Sequence, residues 1–179
     1  MLKKANTGLV VVDIQGKLAG LVHDSETLIA NCEKLIKGAQ VLGLPIVWLE
    51  QNPDKLGPTV EPLASLLNTS SAISKFAFNA CDEAKFIDAI GNTGVDTWLV
   101  CGIEAHICVY QTALGLQQLD FNVQLISDCI SSRTLANKQL AINKLVNKGI
   151  DITGVEMCLY ELVKDCRTAE FKQILKLVR

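Results

Sequence analysis

The chain has 179 residues, 49% of them hydrophobic and 20% charged. At that length a single domain spanning 1–179 buries roughly 70% of its unfolded surface, and the make-up is far from that of disordered or collagen-like chains. Its 17 Lys and Arg against 19 Asp and Glu give a formal net charge of -2, and no basic run exceeds Lys3-Lys4, so nucleic-acid and membrane partners are not expected.

The N-terminal apolar run, Leu9 to Val12, stops at Asp13 and is too short for a signal peptide, and no stretch approaches the ~20 apolar residues of a membrane helix. "TGLVVVDI", Thr7 to Ile14, reads as a buried strand. A helix follows, with apolar residues at Leu28, Cys32, Leu35, Ile36, Ala39 and Leu42, Ser25 as N-cap and Gly43 at the C-cap, before a second strand at Pro45 to Leu49. Glu50 to Ser71 holds three of the four prolines and reads as a long loop with one helical turn at Glu61 to Leu67. A third strand ends at "SAIS", just before Lys75.

Further strands are expected at Thr97 to Cys101, Asn122 to Ser127 and Asp151 to Thr153. Helices are expected at about Ala105 to Leu119, Leu135 to Asn147, Val155 to Val163 and Thr168 to Val178. This alternation predicts an α/β fold, a doubly wound (Rossmann-like), mostly parallel sheet with helices on both faces. In such sheets ligands bind beyond the carboxyl ends of strands. The residues to inspect are therefore Asp13 to Lys17, Glu50 to Gln51, Lys75 to Phe78, Gly102 to Cys108 and Asp128 to Arg133.

No dinucleotide or phosphate-loop glycine pattern and no Gly-x-Ser-x-Gly elbow occurs, and Gln15 stands where an aspartyl-phosphate enzyme needs a second carboxylate. Seven cysteines without a Cys-x-x-Cys pair argue against a disulfide framework or a zinc knuckle and for a reduced, cytoplasmic setting. Cys108 falls near the start of a helix, where unpaired N–H groups and the helix dipole favour a thiolate, although most free cysteines are simply buried hydrophobes. His106 lies about 200° around a helix from Cys108, on the wrong face to act as its base. His23 reads as a surface residue before a helix cap. Asp13, at the end of a buried strand, could supply the base, and Lys75 could neutralise a developing anion. Spacing alone does not bring the three together.

"VVVDIQ" with Asp13, "EQNPDKLGPTV" from Glu50, "SKFAF" with Lys75, "CGIEAHICV" with Cys108 and "SDCISSR" ending at Arg133 stand in a telling order. In this the chain resembles the isochorismatase-like cysteine hydrolases, most closely the isochorismatase domain-containing branch, from about Thr7 to Leu177. The resemblance implies a triad of Cys108 as nucleophile, Asp13 as base and Lys75 as electrostatic partner. It also implies a cis peptide at Ile103-Glu104, with the Glu104 and Cys108 N–H groups facing an oxyanion.

The implied chemistry is hydrolysis of a C–N bond in a small amide or carbamoyl compound through a thioester. Gln15, Glu50, Gln51, Phe78 and Arg133 are candidates for the substrate pocket or its support. Nicotinamidases of this superfamily carry an Asp-x-His metal motif where this chain reads "EQNPD", so no metal and no other cofactor is expected. Vinyl ether hydrolysis of the isochorismatase type, and a non-catalytic scaffold, are the alternatives, and retention of Cys108 favours C–N hydrolysis. The expected partners are a small-molecule substrate and further copies of the chain, as a homo-oligomer of two or more.

Overall fold

The strands of the computed structural model, which describes residues 1–179, are β1 (Thr7–Val12), β2 (Ile46–Gln51), β3 (Ile73–Lys75), β4 (Thr97–Ile103), β5 (Asn122–Ser131) and β6 (Asp151–Thr153). They form one sheet of order β3-β2-β1-β4-β5-β6, parallel at every pairing. The strand order reverses between β1 and β4, and the crevice above their carboxyl ends is the switch point of this doubly wound sheet.

The side-chain alternation of β1 explains the two-sided cover. Leu9 and Val11 face one core with Leu99 and Cys101, and Val10 and Val12 face the other with Trp98 and Val100. The first core is closed by α2 (Ser25–Val41), α8 (Val155–Val163) and α9 (Ala169–Val178), through Leu35, Ile36, Leu159 and Ile174. The second is closed by α5 (Ala84–Gly91), α6 (Tyr110–Gln118) and α7 (Leu135–Val146), through Phe86, Ile90, Leu116 and Leu145. No helix is long and apolar enough to cross a membrane.

Local chemistry sets the element ends. Gly43, at φ +68°, ends α2 in a Schellman turn: its N–H donates to Gln40 O at 3.1 Å, and that of Leu44 to Ala39 O at 2.9 Å. The start of α2 differs from expectation. Ser25 is its first residue rather than its cap, and Asp24 occupies the cap in a left-handed conformation without a capping bond. The Ser25 hydroxyl instead donates to Ala19 O at 2.7 Å, tying α2 to α1 (Gly16–Leu21).

The loop after β2 holds the expected helical turn as α4 (Glu61–Ala64) and, before it, a further short helix that was not expected, α3 (Pro53–Leu56). β5 runs on to Ser131 rather than ending at Ser127. An irregularity between Val100 and Gly102 of β4 lets pairing resume at Gly102–Ile130 and Ile103–Ser131. The segment expected to begin a helix at Ala105 opens with a wide turn, Ala105–Val109. In it the Val109 N–H reaches back five residues to Glu104 O at 3.3 Å.

Candidate active site

The close approach of β1 and β4 builds the site. A Cβ on Gly102, whose φ is +128°, would lie 2.0 Å from Val12 O, so only glycine lets the strand ends meet there. Asp13 follows β1 with φ +51°. That left-handed residue turns the chain so that its carboxylate faces Lys75, the last residue of β3. The ammonium Nζ lies 2.8 Å from Asp13 Oδ2, and the two side chains are 0% and 3% exposed. Apart from this ion pair neither oxygen of Asp13 has a hydrogen-bond partner, which leaves the carboxylate free to accept a proton.

Lys75 also donates to Gln51 Oε1 at 2.5 Å, to Ala77 O at 3.1 Å and, at 3.4 Å, to Phe78 O. Its donors are thus taken up within the protein, and it acts on a substrate through its charge. Cys108 lies in the wide turn after β4: its Sγ is 4.0 Å from Gln51 Oε1, and Asp13 and Lys75 stand close enough for their charges to act on its thiol. Burial first, then the charge of Asp13, pushes the Cys108 thiol up to about 12, against the opposing pull of Lys75. Burial likewise raises the Asp13 carboxyl above its ordinary value, again opposed by Lys75. Burial and the neighbouring carboxylate both favour the protonated thiol, so the Cys108 proton has to be taken by a base.

Gln15 is the support beneath. Fully buried, its side-chain amide pairs with the main chain of Gln51 like a neighbouring strand: Oε1 accepts from Gln51 N–H at 2.6 Å, and Nε2 donates to Gln51 O at 3.0 Å. The same Nε2 reaches Gly57 O at 2.7 Å. Asp13, Gln15, Gln51, Phe78, Glu104 and Cys108 line a cavity of about 140 Å³ whose other walls are Leu18, Leu56, Ile103 and Ile107.

Glu50 and Arg133 do not line it. Glu50 Oε1 holds the loop after α3, accepting from Thr59 N–H at 2.6 Å and Oγ1 at 2.8 Å. Arg133 clamps the buried Glu104 from outside, its N–H donating to Oε2 at 2.9 Å and its Nε to Oε1 at 3.1 Å. The peptide bond Ile103-Glu104 is cis. His106 turns away from the cavity to Ser132 Oγ, 2.9 Å from its Nδ1, and His23 is exposed. No group of three or more His, Cys, Asp or Glu side chains gathers in a metal-holding cluster.

Sequence reasoning missed the apolar walls Leu18, Leu56 and Ile107. Leu56, a lone leucine in "NPDKLGP", was a readable signal; Ile107 was not, because helical spacing does not apply in a wide turn.

The chain is similar to proteins of a known family. The sequence profile of the Isochorismatase domain matches residues 7–157. A secreted isochorismatase effector of Phytophthora sojae is 31% identical, over 96% of this chain and 83% of its own. Isochorismatase domain-containing protein 1 of Danio rerio is 30% identical over 99% of this chain, which spans only 62% of that relative. Among solved structures, the MAR1 ribonuclease of Caenorhabditis elegans superposes with a TM-score of 0.92 at 29% identity, covering 99% of this chain and 91% of that one. The YcaC gene product of Escherichia coli, an octameric hydrolase of unknown specificity, gives 0.93 at 22%, covering 98% and 89%.

Proposed function

The chain belongs to the isochorismatase family of hydrolases, and on that premise we propose that it hydrolyses the C–N bond of a small amide or carbamoyl compound, without a metal, through a thioester on Cys108. The observation that carries this reading is that Cys108 and Asp13, from two different strand ends, line one small cavity, with Lys75 from a third paired to Asp13 behind its wall.

With the thiol pushed up to about 12, very little of it is ionised at neutral pH, so attack needs a base at hand. Asp13 fills that role. It takes the thiol proton as Sγ bonds to the carbonyl carbon, and the N–H groups of Glu104 and Cys108 receive the oxyanion. The raised affinity of Asp13 for a proton narrows the mismatch with the thiol. As the C–N bond breaks, Asp13 returns the proton to the leaving nitrogen, which departs as ammonia or an amine. Water then attacks the thioester, Asp13 takes its proton, and the proton passes to sulfur as the acid leaves. Throughout, Lys75 stabilises whichever of carboxylate or sulfur is negative.

The nematode neighbour's name points to RNA, but a cavity of about 140 Å³ and a net charge of -2 support a small molecule instead. Ammonia release from a panel of primary amides tests the reading. Activity is expected in the wild type and lost by at least about 10³-fold in Cys108→Ala and Asp13→Asn. Hydrolysis that survives in Cys108→Ala would overturn the thioester route and turn attention to vinyl ethers.

We also propose self-association, from exposed apolar side chains such as Phe76, 70% exposed, and Met157, 67% exposed, and from the octameric assembly of the bacterial neighbour. Sedimentation at micromolar concentration is expected to give a dimer or larger species, and a purely monomeric boundary would refute it.

A further inference from the structure

The charges at the cavity are all paired: Asp13 with Lys75, and Glu104 with Arg133. An ionised group entering there would lose its water and meet no free partner, so the part of the substrate beside Cys108 is uncharged. Two of the cavity walls, Leu18 and Leu56, are also the floor of an adjoining groove of about 450 Å³, completed by Gly16, Lys17, Lys55 and Gly57. The surroundings change there. Lys17 and Lys55 are exposed, and neither takes part in any ion pair of the molecule. Asp54, the neighbour of Lys55, is not among the groove residues.

The two sides of this groove are fastened together. Gly16 N–H donates to Pro58 O at 2.9 Å, Gln15 bridges to Thr59, and Gln15 Nε2 holds Gly57 O at 2.7 Å. The backbones approach so closely that a Cβ on Gly16 would fall 1.7 Å from Leu56 O. α1 and α3 thus present one lysine each on a pre-formed support. Two unneutralised ammonium groups thus line one groove that has no carboxylate among its walls, which favours an anion there.

We infer that this groove is an anion-binding end of the substrate site, so that the substrates are small carboxamides with an uncharged carbonyl end at Cys108, a short apolar middle against Leu18 and Leu56, and a carboxylate or phosphate at Lys17 and Lys55. The inference rests on the reading of Cys108 as nucleophile. It adds the charge and layout of the substrate.

Matched electrophiles test it without knowledge of the natural substrate. The iodoacetamides of a short series of ω-amino acids are compared with those of the corresponding alkylamines, and with an aminoalkyl phosphonate, by the rate at which each labels Cys108 as read by peptide mass. The best anionic probe is expected to label at least about tenfold faster than its neutral counterpart, with an advantage that shrinks as salt is added. In the Lys17→Ala/Lys55→Ala double variant the ratio of the two rates falls to within about twofold of unity, and in Lys17→Glu/Lys55→Glu it inverts. Whichever of the carboxylate and phosphonate gains more identifies the anion.

Equal labelling by charged and neutral probes in the wild type overturns the inference alone. So does an advantage that survives both double variants. Failure of every probe to label Cys108 faster than the other cysteines overturns the nucleophile reading and the inference with it.

Discussion

At the scale of single residues the site turns on one buried pair. Asp13 and Lys75 approach to 2.8 Å with almost no exposure, and removing one partner leaves the other charged in a dry place. The two removals are not equivalent. In Lys75→Met the stranded carboxyl can escape by taking a proton. From its ordinary value of 3.8 this limits the charge penalty to about 4 kcal/mol at neutral pH and about 1.5 kcal/mol near pH 5. In Asp13→Asn the stranded ammonium would have to lose a proton, which acid opposes.

The sign follows from burial. It raises the carboxyl in the folded chain, so protonation of Asp13 contributes stability that is fully present below the unfolded value and fades as pH rises through the folded one. Without Lys75 the folded value climbs further and the window widens toward neutrality. Urea unfolding is therefore expected to show Lys75→Met recovering most of its lost stability between about pH 7 and about pH 5, while Asp13→Asn recovers none. Equal pH profiles for the two variants would mean that the pair is not charged in the folded protein.

At the scale of elements, the strands and most helices were legible because each reports itself locally. Runs such as "LVVV" at Leu9 to Val12 lie between polar turns, and the apolar spacing of α2 covers one face. What escaped depended on partners elsewhere in the chain. β5 passes Ser127 and Asp128 because β4 shifts register beside it, and "SDC" read alone looks like a loop. The wide turn at Ala105–Val109 shares its composition with an ordinary helix start.

The site was legible in its polar members, since Asp13, Gln51, Lys75 and Cys108 each follow or end a strand and the fold gathers strand ends. Its shape was not. Glu50 and Arg133 sit at equally suggestive positions and turn out to brace neighbouring loops, a choice of rotamer and not of spacing. Gly16 and Gly102 show why no local rule suffices: at each, a carbonyl from an element distant in sequence, Leu56 O or Val12 O, occupies the space a Cβ would take.

At the scale of the whole molecule, the cysteines tie stability to pH. Burial pushes the thiols of Cys108 and Cys158 up to about 12 and that of Cys129 to about 11. Cys32 and Cys101 are also raised well above the ordinary value of 9.0. In each case the charged form is disfavoured by folding. The stability contributed by holding the proton is complete below 9.0 and is lost as pH rises toward the folded values, because the unfolded chain then releases protons that the folded chain retains.

One such thiol removes about 1.4 kcal/mol per pH unit within that window. Three acting together remove about 4 kcal/mol per unit, against a total stability of about 5–15 kcal/mol for an ordinary domain. Urea midpoints in the presence of reductant are therefore expected to hold steady up to about pH 8.5 and to fall steeply from there to about pH 10. Lysine and tyrosine titrations also enter in alkali, and Cys158→Ala separates them from the thiols. That variant loses some packing at every pH, but its stability should decline with pH less steeply than the wild type by about 1.4 kcal/mol per unit. A decline of equal slope in both proteins would place the alkaline transition in groups other than these core thiols.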